Sequence, residues 1–264
     1  FFYRKIRPGF RDWSHVDFYQ SNQMETLPNY GLANTITGFA TLFSGLLPLC
    51  ICYLVERHPG RWMFVYWLIV ITGIFTITLH GFGETNPMIL ERWVWSFLDT
   101  GSNIVVVWGI VLAVLEDGYS ERIRIRARPA ATVLMLVGIV WHFFDRMTSG
   151  GYLISFGNWG GFRPGQTWLI LFSFAATALF YAKRETIPQK ARPLLSLTTV
   201  IFVAGLLMAT ARNDTIVFPF LSLHALWHLT AAFGFISLWA FNDVRFRATP
   251  RNRDVSRHSN QDLQ

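Results

Sequence analysis

The residues best suited to chemistry are two histidines in the run His224-Ala-Leu-Trp-His228. On a helix, a spacing of i, i+4 puts both rings on one face, one turn apart, which suits two cis ligands of one metal. Two core histidines hydrogen-bonded inside a bundle would share that spacing, so the pair by itself leaves both readings open. His80, Asp99, His142 and Asp145 are the other ionisable side chains in or at the ends of apolar stretches. Such groups are costly in a membrane and mark functional positions. Three histidines with an open fourth position form a catalytic zinc pattern, in which the metal brings a water to a pKa near 7. Haem is the rival metal group, with axial ligands drawn from His80, His142, His224 and His228. The chain has no Cys-x-x-Cys-His attachment motif. Two ligands on one helix face also cannot reach opposite sides of one porphyrin, so zinc is the expected cofactor. His142-Phe-Phe-Asp145 reads as an ion pair or a cap at a helix end, with a place beside the metal as the lesser reading. His15, His58 and His258 fall in loops or tails and are expected to be solvated. Cys50 and Cys52, one residue apart in an apolar run, read as small core residues rather than a staple or a metal site.

Composition identifies the elements that must hold these side chains. Of 264 residues, 52% are hydrophobic and only 15% charged, with 24 Phe and 11 Trp. Soluble domains carry about 25% charge, so this chain cannot cover itself with polar surface in water. Disorder is excluded by the same richness in aromatics. The net charge of +7 would suit nucleic acid, but the basic residues lie between apolar runs and in the tails, as membrane topology requires. No nucleic-acid partner is expected. A bilayer core takes about 20 apolar residues per helix, and seven stretches qualify: Gly31–Val55, Trp62–Phe82, Trp93–Leu115, Pro129–Phe144, Thr167–Ala182, Pro193–Ala211 and Phe218–Phe241. Barrel-type alternation is absent, so helices alone satisfy the backbone in lipid.

The expected fold is all-α: a seven-transmembrane helix bundle in a multi-pass integral membrane protein. It has a leading segment over 1–30, the bundle over 31–241 and a basic tail over 242–264. Pro129 and Pro193 are expected at helix starts, where a missing N–H costs nothing. The longest loop, from Ser149 to Gly161, is expected to be flexible. Arg57, Arg61, Arg122, Arg124, Arg126, Arg128, Lys183, Arg184, Lys190, Arg192 and the tail arginines share one side, against Arg92, Arg146, Arg163 and Arg212 on the other. The positive-inside rule then puts the C-terminus inside and the N-terminus outside, although Arg4, Lys5, Arg7 and Arg11 dissent. No cleavable signal peptide is expected from a start of Phe-Phe-Tyr-Arg-Lys.

Alternation of spans brings the end of the second and the starts of the third and seventh to one side. With helices starting at Trp93 and Phe218, Asp99 and His224 each lie about 9 Å deep at 1.5 Å per residue. Three histidines and a carboxylate from three helices can therefore meet in one layer.

With these residues in view, the chain resembles the alkaline ceramidases and the wider superfamily they share with progestin/adipoQ-type receptors. Phe220-Leu-Ser-Leu-His224-Ala-Leu-Trp-His228-Leu-Thr-Ala-Ala-Phe-Gly234 resembles the seventh-span signature, and Thr76-Ile-Thr-Leu-His80 resembles the second-span S-x-x-x-H with Thr for Ser. Phe97-Leu98-Asp99 resembles the leucine–aspartate of the third span, Asn34-Thr35 the start of the first, and Asp12-Trp13 the N-terminal Asp-Trp. The family's calcium site matches only at Asp12 and Asp17, with His15 and Gly31 at acidic positions, so calcium is not expected with it. The segment between His80 and Asp99 is longer than in ceramidases.

The resemblance implies one zinc on His80, His224 and His228, a proton-transferring Asp99, and an oxyanion-stabilising Thr76. The implied activity is hydrolysis of the N-acyl amide of a ceramide-like lipid. A second reading keeps the fold as a structural or accessory subunit of a larger membrane complex, which would tie down the polar tail over 251–264. A receptor of the progestin/adipoQ type fits less well, because Ala-Leu-Trp between the two histidines leans toward the ceramidases.

Overall fold

The computed structural model describes residues 30–55, 58–83, 91–148, 152–155, 161–210, 216–218 and 221–248. Asp12, Trp13, His15, Asp17, His258 and the tail over 251–264 lie outside the described residues. Among the described residues, seven helices are long and apolar enough to cross a membrane. They are α1 (Tyr30–Val55), α2 (Gly60–Thr78), α3 (Arg92–Gly118), α4 (Glu121–Met147), α5 (Pro164–Ala182), α6 (Arg192–Ala209) and α7 (Leu223–Ala248). Leu54, Val200, Phe233 and many other large apolar side chains face outward, an arrangement suited to lipid contact. Two short antiparallel hairpins lie between helices, β1 (Ile154–Ser155) with β2 (Gly161–Phe162), and β3 (Ile216–Phe218) with β4 (Leu221–Ser222). The loop expected to be flexible thus holds a hairpin, and the Gly161 N–H donates to the Thr210 carbonyl at 3.0 Å.

Packing follows the small and polar residues. Helices α1 and α2 meet most extensively, α7 packs on α1 and α6, and α3 sits among α2, α4 and α5; α5 and α6 barely touch. Helices α1 and α2 touch at Gly73, where an added Cβ would lie 2.4 Å from the Leu42 Cα. In a bilayer, where apolar burial drives helices together only weakly, such close backbone contact is a main source of association. On α1, Asn34, Thr37, Thr41 and Ser44 recur at spacings of three, four and three and are all buried. That seam points α1's polar face inward and its apolar faces to lipid.

Three boundaries differ most from the sequence expectation. Helix α4 begins at Glu121, so the arginine run is helical and Pro129 lies inside the helix rather than at its start. Arg and Ala favour helix, and Pro in a membrane helix is tolerated where neighbouring groups re-satisfy the freed carbonyl. Helix α7 begins at Leu223, with Phe218 in a strand, and continues to Ala248 beyond the expected end at Phe241. A hydropathy boundary marks the apolar core, whereas a helix can run on into the interface. Finally, Cys50 is exposed although Cys52 is buried; its apolar run faces lipid on that side.

The basic end is held by buried charge. Asp117, at the end of α3, accepts from the Trp62 Nε1–H at 2.8 Å, from Arg245 at 2.5 Å and from Arg61. The Arg245 guanidinium also lies over the rings of Trp62, Phe180, Phe241 and Phe246. His58, expected to be solvated, is instead buried: its Nδ1 lies 3.2 Å from the Tyr66 hydroxyl and its Nε2 is 3.7 Å from Asp243. The extension of α7 past Phe241 supplies Asp243 and covers it.

Candidate metal centre

At the opposite end of the bundle, His80, His224 and His228 converge. Thr72 and Thr76 on α2 and His80 just after it follow at successive spacings of four, all buried. Helix α2 stops being α-helical at Thr78 and continues as a π-helical turn over Leu79–Gly83, which holds His80. Single π turns inside helices often occur at functional sites. The two other rings come from the first turns of α7. Ser222 precedes that helix, and its hydroxyl accepts from the Ala225 N–H at 3.0 Å, capping the helix that presents both histidines. The same hydroxyl points toward Asn34 Oδ1 at 3.5 Å, which ties the start of α7 to α1. The layer therefore lies at the first residues of α7, because the helix begins at Leu223 and not at Phe218, which is in a strand.

One ring nitrogen from each of the three histidines lies within 4.8 Å of the others. Nε2 of His224 and Nε2 of His80 are 3.1 Å apart. Two ligands at zinc–nitrogen bonds of about 2.0–2.1 Å in a tetrahedron sit about 3.3 Å from each other. The His80–His224 pair is thus already near the separation that a shared ion imposes, and three imidazoles are a fitting donor set for a zinc-like ion.

The sequence-expected carboxylate is also there. Asp99 is buried on α3, and its Oδ1 accepts a hydrogen bond from the Thr76 hydroxyl at 2.5 Å. Thr76 lies one turn before His80, so this pair belongs to the layer next to the histidines. The long segment between His80 and Asp99 does not turn Asp99 away from the interior. His142 and Asp145, by contrast, lie in the last turns of α4, where the His142 ring packs beside Phe97 and against the backbone of Gly165. Among the described residues, His142 is not part of the metal-competent group.

Two contributors were not anticipated from the sequence. The Thr37 hydroxyl on α1 lies 3.1 Å from Nδ1 of His228, and Ser222 caps α7. The buried polar seam of α1, readable as a three–four repeat within an apolar span, was the signal for Thr37.

Compared with protein-family models, curated proteins and solved structures, the chain matches none.

Proposed function

We propose that the protein is a zinc-dependent intramembrane amidohydrolase acting on a ceramide-like lipid. The observation that carries this reading is the convergence of three imidazoles beside a buried Thr76–Asp99 pair within a bundle of membrane-spanning length. The motifs that resemble those of the alkaline ceramidases fall on these same residues. His80, His224 and His228 would hold the ion. Zinc bound there supplies Lewis acidity toward water and toward an amide carbonyl.

The chain's own residues account for the proton. Asp99 takes a proton from the water that adds to the amide carbonyl carbon and returns it to the departing amine nitrogen, leaving a fatty acid and a sphingoid amine. The Thr76 hydroxyl has one proton, which is directed at Asp99 Oδ1. Its role in this reading is to position Asp99; donation to an oxyanion would first require giving up that bond.

Acyl and sphingoid chains need an apolar path. The void among α3, α5, α6 and α7, lined by Val107, Phe180, Phe202 and Leu238 among others, holds only about 40 Å³. Lipid entry in this reading parts α5 from α6, the sparsest contact between consecutive helices. Under the positive-inside rule the end bearing Arg61, Arg124, Arg128, Lys183 and Arg245 is cytoplasmic, and the metal layer lies toward the other face.

The test is release of fatty acid from a short-chain ceramide by wild type and by Asp99→Asn. Turnover by wild type that Asp99→Asn abolishes supports the hydrolase. Absence of turnover in a zinc-loaded wild type rejects it in favour of a non-catalytic membrane subunit.

A further inference from the structure

We infer that Thr37 is a positioning residue for the metal centre, fixing the tautomer and orientation of His228. The Thr37 Oγ1 lies 2.9 Å from the Ala33 carbonyl oxygen and 3.1 Å from the Asn34 carbonyl oxygen. Both are acceptors only, and a hydroxyl that donates back to its own helix directs its single proton at one of them. Toward His228 Nδ1, at 3.1 Å, the same oxygen must then act as acceptor. In this arrangement Nδ1 carries the imidazole proton and the lone pair resides on Nε2; His228 also hydrogen-bonds the Asn34 backbone, and Thr37 is the side-chain acceptor beside it.

Nδ1 and Nε2 lie on opposite sides of the ring, so engaging Nδ1 on α1 aims Nε2 away from α1. His80 and His224 stand beside this ring, with centroids 5.1 and 4.6 Å from that of His228, and in this inference Nε2 is the nitrogen offered to them. A metal-ligating histidine commonly donates its other N–H to an acceptor that fixes the ring, and loss of such a partner costs about 10–100-fold in metal affinity. The helix geometry makes Thr37 a dependable acceptor. Its hydroxyl bonds back to the preceding turn of its own helix, so the oxygen is held in place before His228 arrives. Gly38, the next residue, lets α2 approach closely: a Cβ there would lie 3.1 Å from Thr76 Cγ2. The same turn of α1 thereby contacts both the metal layer and the residue that holds Asp99.

This inference rests on the zinc reading and separates from it in one experiment. Zinc affinity of the full chain in detergent is measured by competition with a chromophoric chelator for wild type, Thr37→Val, Thr37→Ser and Thr41→Val. Thr37→Val keeps the shape and loses the acceptor; Thr37→Ser keeps the acceptor. Thr41→Val removes an equally buried hydroxyl of the same seam, one turn on. The expected result is a loss of about 10-fold for Thr37→Val, with Thr37→Ser and Thr41→Val close to wild type. Wild-type affinity in Thr37→Val, or an equal loss in Thr41→Val, overturns the role of Thr37 and leaves the metal reading standing. A folded wild type that takes up no zinc overturns both.

Discussion

Thr76 and Asp99 meet through one short hydrogen bond between α2 and α3, and the chemistry proposed for Asp99 depends on its being held. Thr76→Val keeps the volume but removes the donor. Misplacing a catalytic group by about 1 Å can cost about 10²-fold, so Thr76→Val should lower ceramide hydrolysis by about that factor. Zinc content should stay the same and Thr76→Ser should stay active; a matching loss of zinc in Thr76→Val would instead make the residue part of the metal's support. At this scale His224 and His228 were legible from a spacing of four, and His80 and Asp99 as ionisable groups in apolar spans, whereas Thr76 entered only through the motif resemblance. Thr37 was not read, since one hydroxyl in an apolar span looks like a threonine bonded to its own helix, which it also is. His58 was misplaced because a short loop reads as solvent, whereas the end of α7 folds over it.

Helix pairs set how closely these residues meet. Gly73 lets the α1 and α2 backbones touch, and a methyl group there would meet Leu42 at under 3 Å. Gly73→Ala should therefore cost about 1–3 kcal/mol as overpacking, read as a lower thermal midpoint in detergent, whereas unchanged stability would mean that α1 shifts without penalty. Existence and type of all seven helices could be read from apolar length alone. Their ends could not: hydropathy placed the start of α4 at Pro129 and the end of α7 at Phe241, but helix continues through charged residues wherever they find partners. Arg245 illustrates this, buried in α7 on Asp117 and four aromatic rings. The π turn carrying His80 has no sequence signature of its own.

Across the whole molecule, the bundle separates a charged, structurally latched end from a metal-competent end. The latch has a pH signature. Burial pushes the His58 imidazole below its usual value of 6.5, against the opposing pull of Asp243 and with Arg245 and Arg247 adding to the depression. As pH falls, the unfolded chain takes up this proton first, so the contribution is complete above about pH 6.5 and is lost as pH falls toward the folded-state value. Thermal midpoints should drop between about pH 7 and pH 5.5, and His58→Gln should reduce that drop; an identical slope in the variant would exclude His58 as its source. At the other end, metal content is the most direct test of the three-histidine site. Purified wild type should carry stoichiometric zinc by elemental mass spectrometry. His224→Ala and His228→Ala should lose it while remaining monodisperse, since seven apolar helices and not the metal hold the bundle. Zinc-free wild type that stays folded in zinc-replete buffer, or full zinc retention in both histidine variants, would contradict the account.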